Sequence, residues 1–386
     1  MGTKTNRQMI SCDKKVRDSS FELLRIIAMF SIVFCHFATH GNFQSDSQNI
    51  SVMRLWWYFM EMGGSWGVNV FVLISGYFLI GDKNSNPNIK KIFVFLGQIL
   101  FYSILIYTLF CVFGFSEFSF KSFIKTLFPI TFNSWWFAST YFVLYLIHPF
   151  INMLLNTLNK VRFQNLVIIL LVIWCLIPTF TFNSYQSNSL LWFVTLYCVA
   201  AYIRKFGLNS KITCKHYVIL FVAFSLLRYL SAVVLAMLGT KISFAASNTL
   251  AFYGQQSVLT FLSALSAFMV FKQLKIKYTK SINKIASATF GVYLIHENIF
   301  MRPFLWRGVF HNALLQDSIY LIPYSLLATV TVFAACVIID LIRKAVIEKP
   351  YTAFLDKCLP SCIKPFHKIV ELLRNIVFGG NENTLQ

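Results

Sequence analysis

Long apolar runs alternate with short polar breaks along this chain. The runs fall near residues 20–40, 64–81, 92–114, 135–155, 164–180, 189–203, 216–238, 251–271, 286–303 and 317–341. A helix rising ~1.5 Å per residue needs about 20 apolar residues to cross a bilayer. The pattern therefore predicts an all-α, polytopic membrane helix bundle of about ten transmembrane helices. Two aromatic-rich, moderately polar segments, 50–62 and 117–130, predict helices lying on the outer surface. The expected organisation is an N-terminal tail (1–19), a transmembrane domain (20–350) and an amphipathic C-terminal tail (351–386).

Lys and Arg decide the orientation. With the N-terminus in the cytoplasm, 26 of the 34 fall in inner segments and six (Arg54, Lys121, Lys125, Lys241, Arg302, Arg307) fall outside. That asymmetry follows the positive-inside rule and predicts both termini to be cytoplasmic. Composition agrees: 57% of residues are apolar and only 12% charged, about half the charged share of a soluble domain. The first twenty residues are polar and the first apolar run is full-length, which predicts no cleaved signal peptide. The net charge of +20 is spread over short loops. Contact with anionic lipid headgroups accounts for it better than nucleic acid does. The nine cysteines are scattered without zinc-site spacing. Cys358 and Cys362, on the amphipathic tail, are candidates for acylation.

The candidate chemistry begins in the first run, which carries Glu22, Arg25 and His36. On a helix Arg25 and His36 fall within ~20° of each other and ~16 Å apart along the axis, with Glu22 ~40° from His36. One stripe of this helix is thus polar almost from end to end. Ionisable groups in hydrocarbon normally face a bundle interior or a water-filled path. His40 follows His36 by one turn, but the sequence offers no third ligand at useful spacing, so no metal is expected. His296 and Glu297 form a second intramembrane cluster. They either line an acceptor pocket, assist His36, or form a packing network. Arg228, in the seventh span, needs an anion, a carbonyl or water; Glu61 and Glu297 are candidate partners. Ser75 and Gly76 read as a site of close helix approach. Trp135 and Trp136 read as an aromatic belt or as sugar-stacking rings.

An ordered set of motifs extends across residues 18–350. It runs from Glu22-Leu-Leu-Arg25 and His36, through Gly67-Val-Asn-Val-Phe71 with Ser75-Gly76-Tyr77, to Lys90-Lys91. It continues through Trp136-Phe137, Tyr145-Leu-Ile-His148-Pro149 and Gly291-Val-Tyr-Leu-Ile-His296-Glu297-Asn298, and ends with Ile347-Glu-Lys-Pro350. In this the chain resembles the acyltransferase 3 family, multi-span proteins that O-acylate bacterial surface polysaccharides. The resemblance implies a bacterial cytoplasmic-membrane enzyme. Its donor would be acetyl-CoA on the cytoplasmic side, and its acceptor a hydroxyl of a capsule, exopolysaccharide or cell-wall glycan reached from the other side. Relatives carry an arginine pair where this chain offers Lys83, Lys90 and Lys91, and lysine lacks arginine's bidentate geometry. His148 stands where a small polar residue is expected and receives no role. No esterase-like domain follows the last span, so any acyl hand-off would need separate glycan-assembly proteins.

The residues alone leave two readings of the first stripe. In one, Glu22 and Arg25 snorkel and His36 is a hydrogen-bonded core residue. In the other, which the resemblance favours, His36 is the base for a glycan hydroxyl and Glu22 fixes Arg25. Arg25, Lys90 and Lys91 then hold donor phosphates, while Trp136, His296 and Glu297 contact the acceptor. An acetyl-histidine intermediate stays open. The rival functions are a polysaccharide transporter or flippase and a membrane module that assists a separate enzyme.

Overall fold

The first apolar run folds as one helix, α1 (Ser19–Thr39), because Asp18 caps it: its carboxylate accepts from the Ser20 amide. This computed structural model describes residues 17–43, 51–82, 86–183 and 186–378. Lys83, one of the lysines offered in place of the relatives' arginine pair, and residues 1–16 of the predicted N-terminal tail lie outside them. The described chain is 79% helical, without strands.

After α1, α2 (Val52–Glu61) runs into α3 (Gly63–Leu79) through Met62 alone. Asn88 caps α4 (Ile89–Val112), and Ser119 caps the short α5 (Phe120–Leu127). Then come α6 (Trp136–Thr157) and α7 (Lys160–Leu171), which continues through a π turn into α8 (Ile177–Thr181). Asn188 caps α9 (Ser189–Phe206), and Gly207 ends it with a positive φ of 72° that suits glycine. They are followed by α10 (Cys214–Gly239), α11 (Ser243–Ser247) and α12 (Val258–Gln273). A broken stretch comprises α13 (Lys280–Ser287), α14 (Thr289–His296) and α15 (Met301–Pro303). The chain then forms α16 (Leu321–Arg343) and α17 (Lys349–Phe378).

Among the described residues nine helical stretches are long and apolar enough to cross a membrane. The chain is a multi-pass membrane bundle. The predicted span 286–303 does not form a single long helix. It breaks at Ala288 and again after His296. Irregular backbone at membrane depth is tolerated where it is buried in protein or lines a cavity, and this break does both.

The packing explains the polar stripe. α1 lies against α2, α3, α12, α13, α14 and α16, so its charged residues face other helices on nearly every side. Its apolar window is 61% buried, whereas that of α10 is 11% buried. α10 is peripheral and turns Val218, Ile219, Val222 and Leu226 outward. Gly76 brings α3 onto α9: a β-carbon there would sit 2.9 Å from Tyr197 Cα. At the far end α17 exposes Ile369, Leu372, Leu373 and Ile376, one face of an amphipathic helix.

Candidate active site

The N-terminal end of α1 is a charge cluster. Glu22, in the first turn, is 5% exposed and accepts from Arg25 Nη1 at 2.6 Å, with Arg17 Nη1 3.9 Å away. A carboxylate in the first turn also suits the helix dipole. Arg25 keeps a quarter of its side chain exposed, so Glu22 holds it without covering it.

From this cluster a cavity of about 610 Å³ follows α1. Arg17 and Arg25 wall one end. Its middle is apolar, lined by Met29, Ile32, Phe71, Phe95, Phe137 and Phe290. Its other end is polar, with His36, Thr39, Glu61 and Gln255. Trp136 also lines it, its ring edge-on to Phe137.

The broken helix completes the polar end. α14 stops at His296, and the next residue, Glu297, turns back over α1. Glu297 Oε2 lies 3.1 Å from His36 Nδ1 and 2.9 Å from His40 Nε2. Its other oxygen is 3.5 Å from Arg302 Nε, which also donates to the Glu297 carbonyl at 3.2 Å. The end of α1 is fixed in turn. Asn312 Nδ2 donates to the Phe37 carbonyl and Arg307 Nε to that of His40, filling acceptors that a helix end leaves open.

These partners assign the histidine tautomers. His296 Nδ1 lies 2.6 Å from the Val292 carbonyl, an acceptor only, so it carries the proton. His296 Nε2 is then a lone pair, 2.9 Å from His36 Nδ1. Facing that lone pair and the Glu297 carboxylate, His36 Nδ1 must carry a proton. The nitrogen left as a base is His36 Nε2, which no hydrogen bond engages among the described residues. An imidazole held through Nδ1 and open at Nε2 is the arrangement a general base needs.

His36, His40 and Glu297 each bring a ligand atom within 4.8 Å of the others. The sequence offered no third ligand beside the two histidines; the fold supplies one from a distant turn. In this arrangement Glu297 Oε2 already accepts from His40 Nε2 at 2.9 Å and lies 3.1 Å from His36 Nδ1.

Other expected residues lie elsewhere. Lys90 Nζ pairs with Asp356 of α17 at 2.5 Å, and neither Lys90 nor Lys91 is among the residues lining the cavity. Arg228 meets neither Glu61 nor Glu297 by hydrogen bond or ion pair. It donates to the Met62 carbonyl at 2.9 Å, at the α2–α3 joint, and lies over the Tyr253 ring at 5.3 Å. His148 is buried against the Tyr145 carbonyl at 2.5 Å. Glu61, not foreseen at the site, lines the cavity with both oxygens 3.1 Å from Thr39 Oγ1. Its sequence signal was a lone carboxylate in an aromatic, apolar helix.

Compared with known families, residues 18–341 match the Acyl_transf_3 model, an acyltransferase domain. The chain belongs to this family. No curated protein and no solved structure matches it. As an Acyl_transf_3 member it is a membrane acyltransferase, and the match contains Arg25, His36, His296 and Glu297 and every residue lining the cavity except Arg17.

Proposed function

We propose that the chain carries an acetyl group from cytoplasmic acetyl-CoA through the bundle to a hydroxyl of a glycan on the other side of a bacterial cytoplasmic membrane. One observation supports this above others. A single cavity has arginines at one end and, at the other, a histidine held as a base.

The roles follow from that layout. Arg17 and Arg25 bind the donor's phosphates by charge-assisted hydrogen bonds. Pantetheine extends along the apolar middle over the ~16 Å that separates Arg25 from His36 on a helix. The thioester reaches the polar end, where an acceptor hydroxyl gives its proton to His36 Nε2 as its oxygen attacks the carbonyl carbon. The tetrahedral adduct collapses by breaking the C–S bond. The CoA thiolate takes the proton back from the imidazolium, so the products are an O-acetyl ester and free CoA. Glu297 is a positioning residue: it fixes the His36 tautomer and faces the imidazolium as it forms. The Lys and Arg excess near the α1 N-terminus places that end in the cytoplasm.

The test is thioester cleavage by the purified protein in lipid nanodiscs, with acetyl-CoA and glycan present. Wild type should release thiol, and His36→Ala should release none while eluting as the same folded species. An active His36→Ala protein would overturn the assignment.

A further inference from the structure

A second hollow, of about 560 Å³, opens beside the polar end of the cavity. It lies between the α8–α9 connection and the loop that leads into α12. Ser65, Gly254 and Gln255 line both spaces, so the groove adjoins the His36 end.

Its chemistry differs from that of the cavity. Among the described residues none of its lining side chains is charged; they are mostly Ser, Thr, Asn and Gln. Amides and hydroxyls both donate and accept, as sugar hydroxyls do. A carboxylate or phosphate entering here would lose hydration without meeting a cation, which is costly.

The wall is built in advance. The Gln255 carbonyl accepts from Asn69 Nδ2 at 2.8 Å, and Asn69 Oδ1 from Trp192 Nε1 at 2.9 Å. Thr179 Oγ1 accepts from the Val258 amide at 2.9 Å and donates to the Cys175 carbonyl at 2.7 Å. Little order remains to be imposed on binding, which favours affinity. Ser257 Oγ, on a residue 4% exposed, has no hydrogen-bond partner among the described residues although Ser257 lines the groove. A buried hydroxyl left so is costly until a ligand group meets it. At the lip Phe182 adopts a left-handed backbone (φ 54°) and packs edge-on to Phe244 and Phe252 at 5.4 and 5.9 Å. Its ring is fixed yet 36% exposed, a flat apolar surface for the C–H face of a sugar.

We infer that this groove is the acceptor subsite and that it takes an uncharged oligosaccharide, passing one hydroxyl by Ser65 and Gln255 to His36. The inference rests on the proposed transfer to a glycan and narrows the acceptor: anionic polymers such as polyuronates and teichoic acids are disfavoured.

The test is equilibrium binding to the full chain in nanodiscs. The probes are hexasaccharides of glucose, galactose and N-acetylglucosamine, with a hexauronate as the anionic comparison. At least one neutral probe should bind, with the hexauronate about tenfold weaker or more. Ser187→Trp, which fills the groove, should weaken the neutral probe about tenfold. Ser257→Ala should weaken it about threefold to tenfold. Should Ser187→Trp fail to fold, Asn183→Trp at the exposed lip blocks the same groove. No binding of any neutral probe, equal binding of the hexauronate, or an unaffected groove-filling variant would overturn the inference. Binding needs no turnover. Neutral-sugar binding without acetyl-CoA cleavage would therefore sink the transfer reading and leave the groove standing.

Discussion

Glu297→Gln isolates the charge of the positioning carboxylate from its size. In the native site Oε2 accepts from His40 and lies 3.1 Å from His36 Nδ1, while Oε1 faces Arg302. If the glutamine oxygen stays with the imidazoles, its NH2 meets the Arg302 guanidinium, donor against donor. The variant therefore loses its anion and frustrates one further contact. With 3.1 Å between Oε2 and His36 Nδ1, a full charge pair attracts by roughly 5 kcal/mol at an effective dielectric of about 20. For a proton about half transferred to His36 at the transition state, roughly 2–3 kcal/mol of stabilisation disappears, a loss on the order of 100-fold in kcat. The proposed layout puts the donor's phosphates at the other end of the cavity, so donor KM should stay within about twofold. The assay is steady-state thiol release in nanodiscs, with unfolding temperature followed in parallel. A kcat within threefold of wild type would refute the positioning role. So would a loss that appears wholly in donor KM.

Three further substitutions test the donor end and the helix packing. Arg25→Ala removes a charged donor from the cavity mouth and should raise donor KM about tenfold to 100-fold with little change in kcat; Lys90→Ala, whose ammonium is engaged by Asp356, should move it less than about threefold. An unchanged KM in Arg25→Ala would place the phosphates elsewhere. Gly291→Ala would drive a β-carbon into the carboxylate of Asp340. That group is fully buried and accepts from Tyr102 at 2.9 Å, Gln98 at 3.1 Å and Arg343 at 2.8 Å, so it has nowhere to retreat. The expected cost is about 1–3 kcal/mol, read as a lower unfolding temperature. A variant as stable as wild type would show that α14 and α16 adjust freely.

The helical plan was legible because hydrocarbon permits few alternatives: a long apolar run must be a helix, and charges within it must face inward. α1 illustrates this, since its own spacing placed Arg25 and His36 on one stripe that the fold buries. Glu22 with Arg25 was equally readable, being a contact within one turn. The partnership of His36 with Glu297 was only one of three open readings. It depends on where α14 stops and how the next turn folds back, and periodicity within 286–303 says nothing of either. Arg228 shows the same limit. An anion, a carbonyl or water all suited it on the sequence, but only the fold shows that the α2–α3 joint leaves the Met62 carbonyl open, and that carbonyl is where the guanidinium binds. Lys90 was read from the chain order of a basic pair, but Asp356, more than 260 positions later, engages it.

Sealed proteoliposomes with acetyl-CoA trapped on the side of the Arg25 end and neutral oligosaccharide only on the other give the most direct measurement. Passage of the acyl group through the bundle predicts free CoA accumulating inside and O-acetyl ester appearing outside, both lost in His36→Ala. Ester formation only when donor and acceptor share a compartment would contradict it.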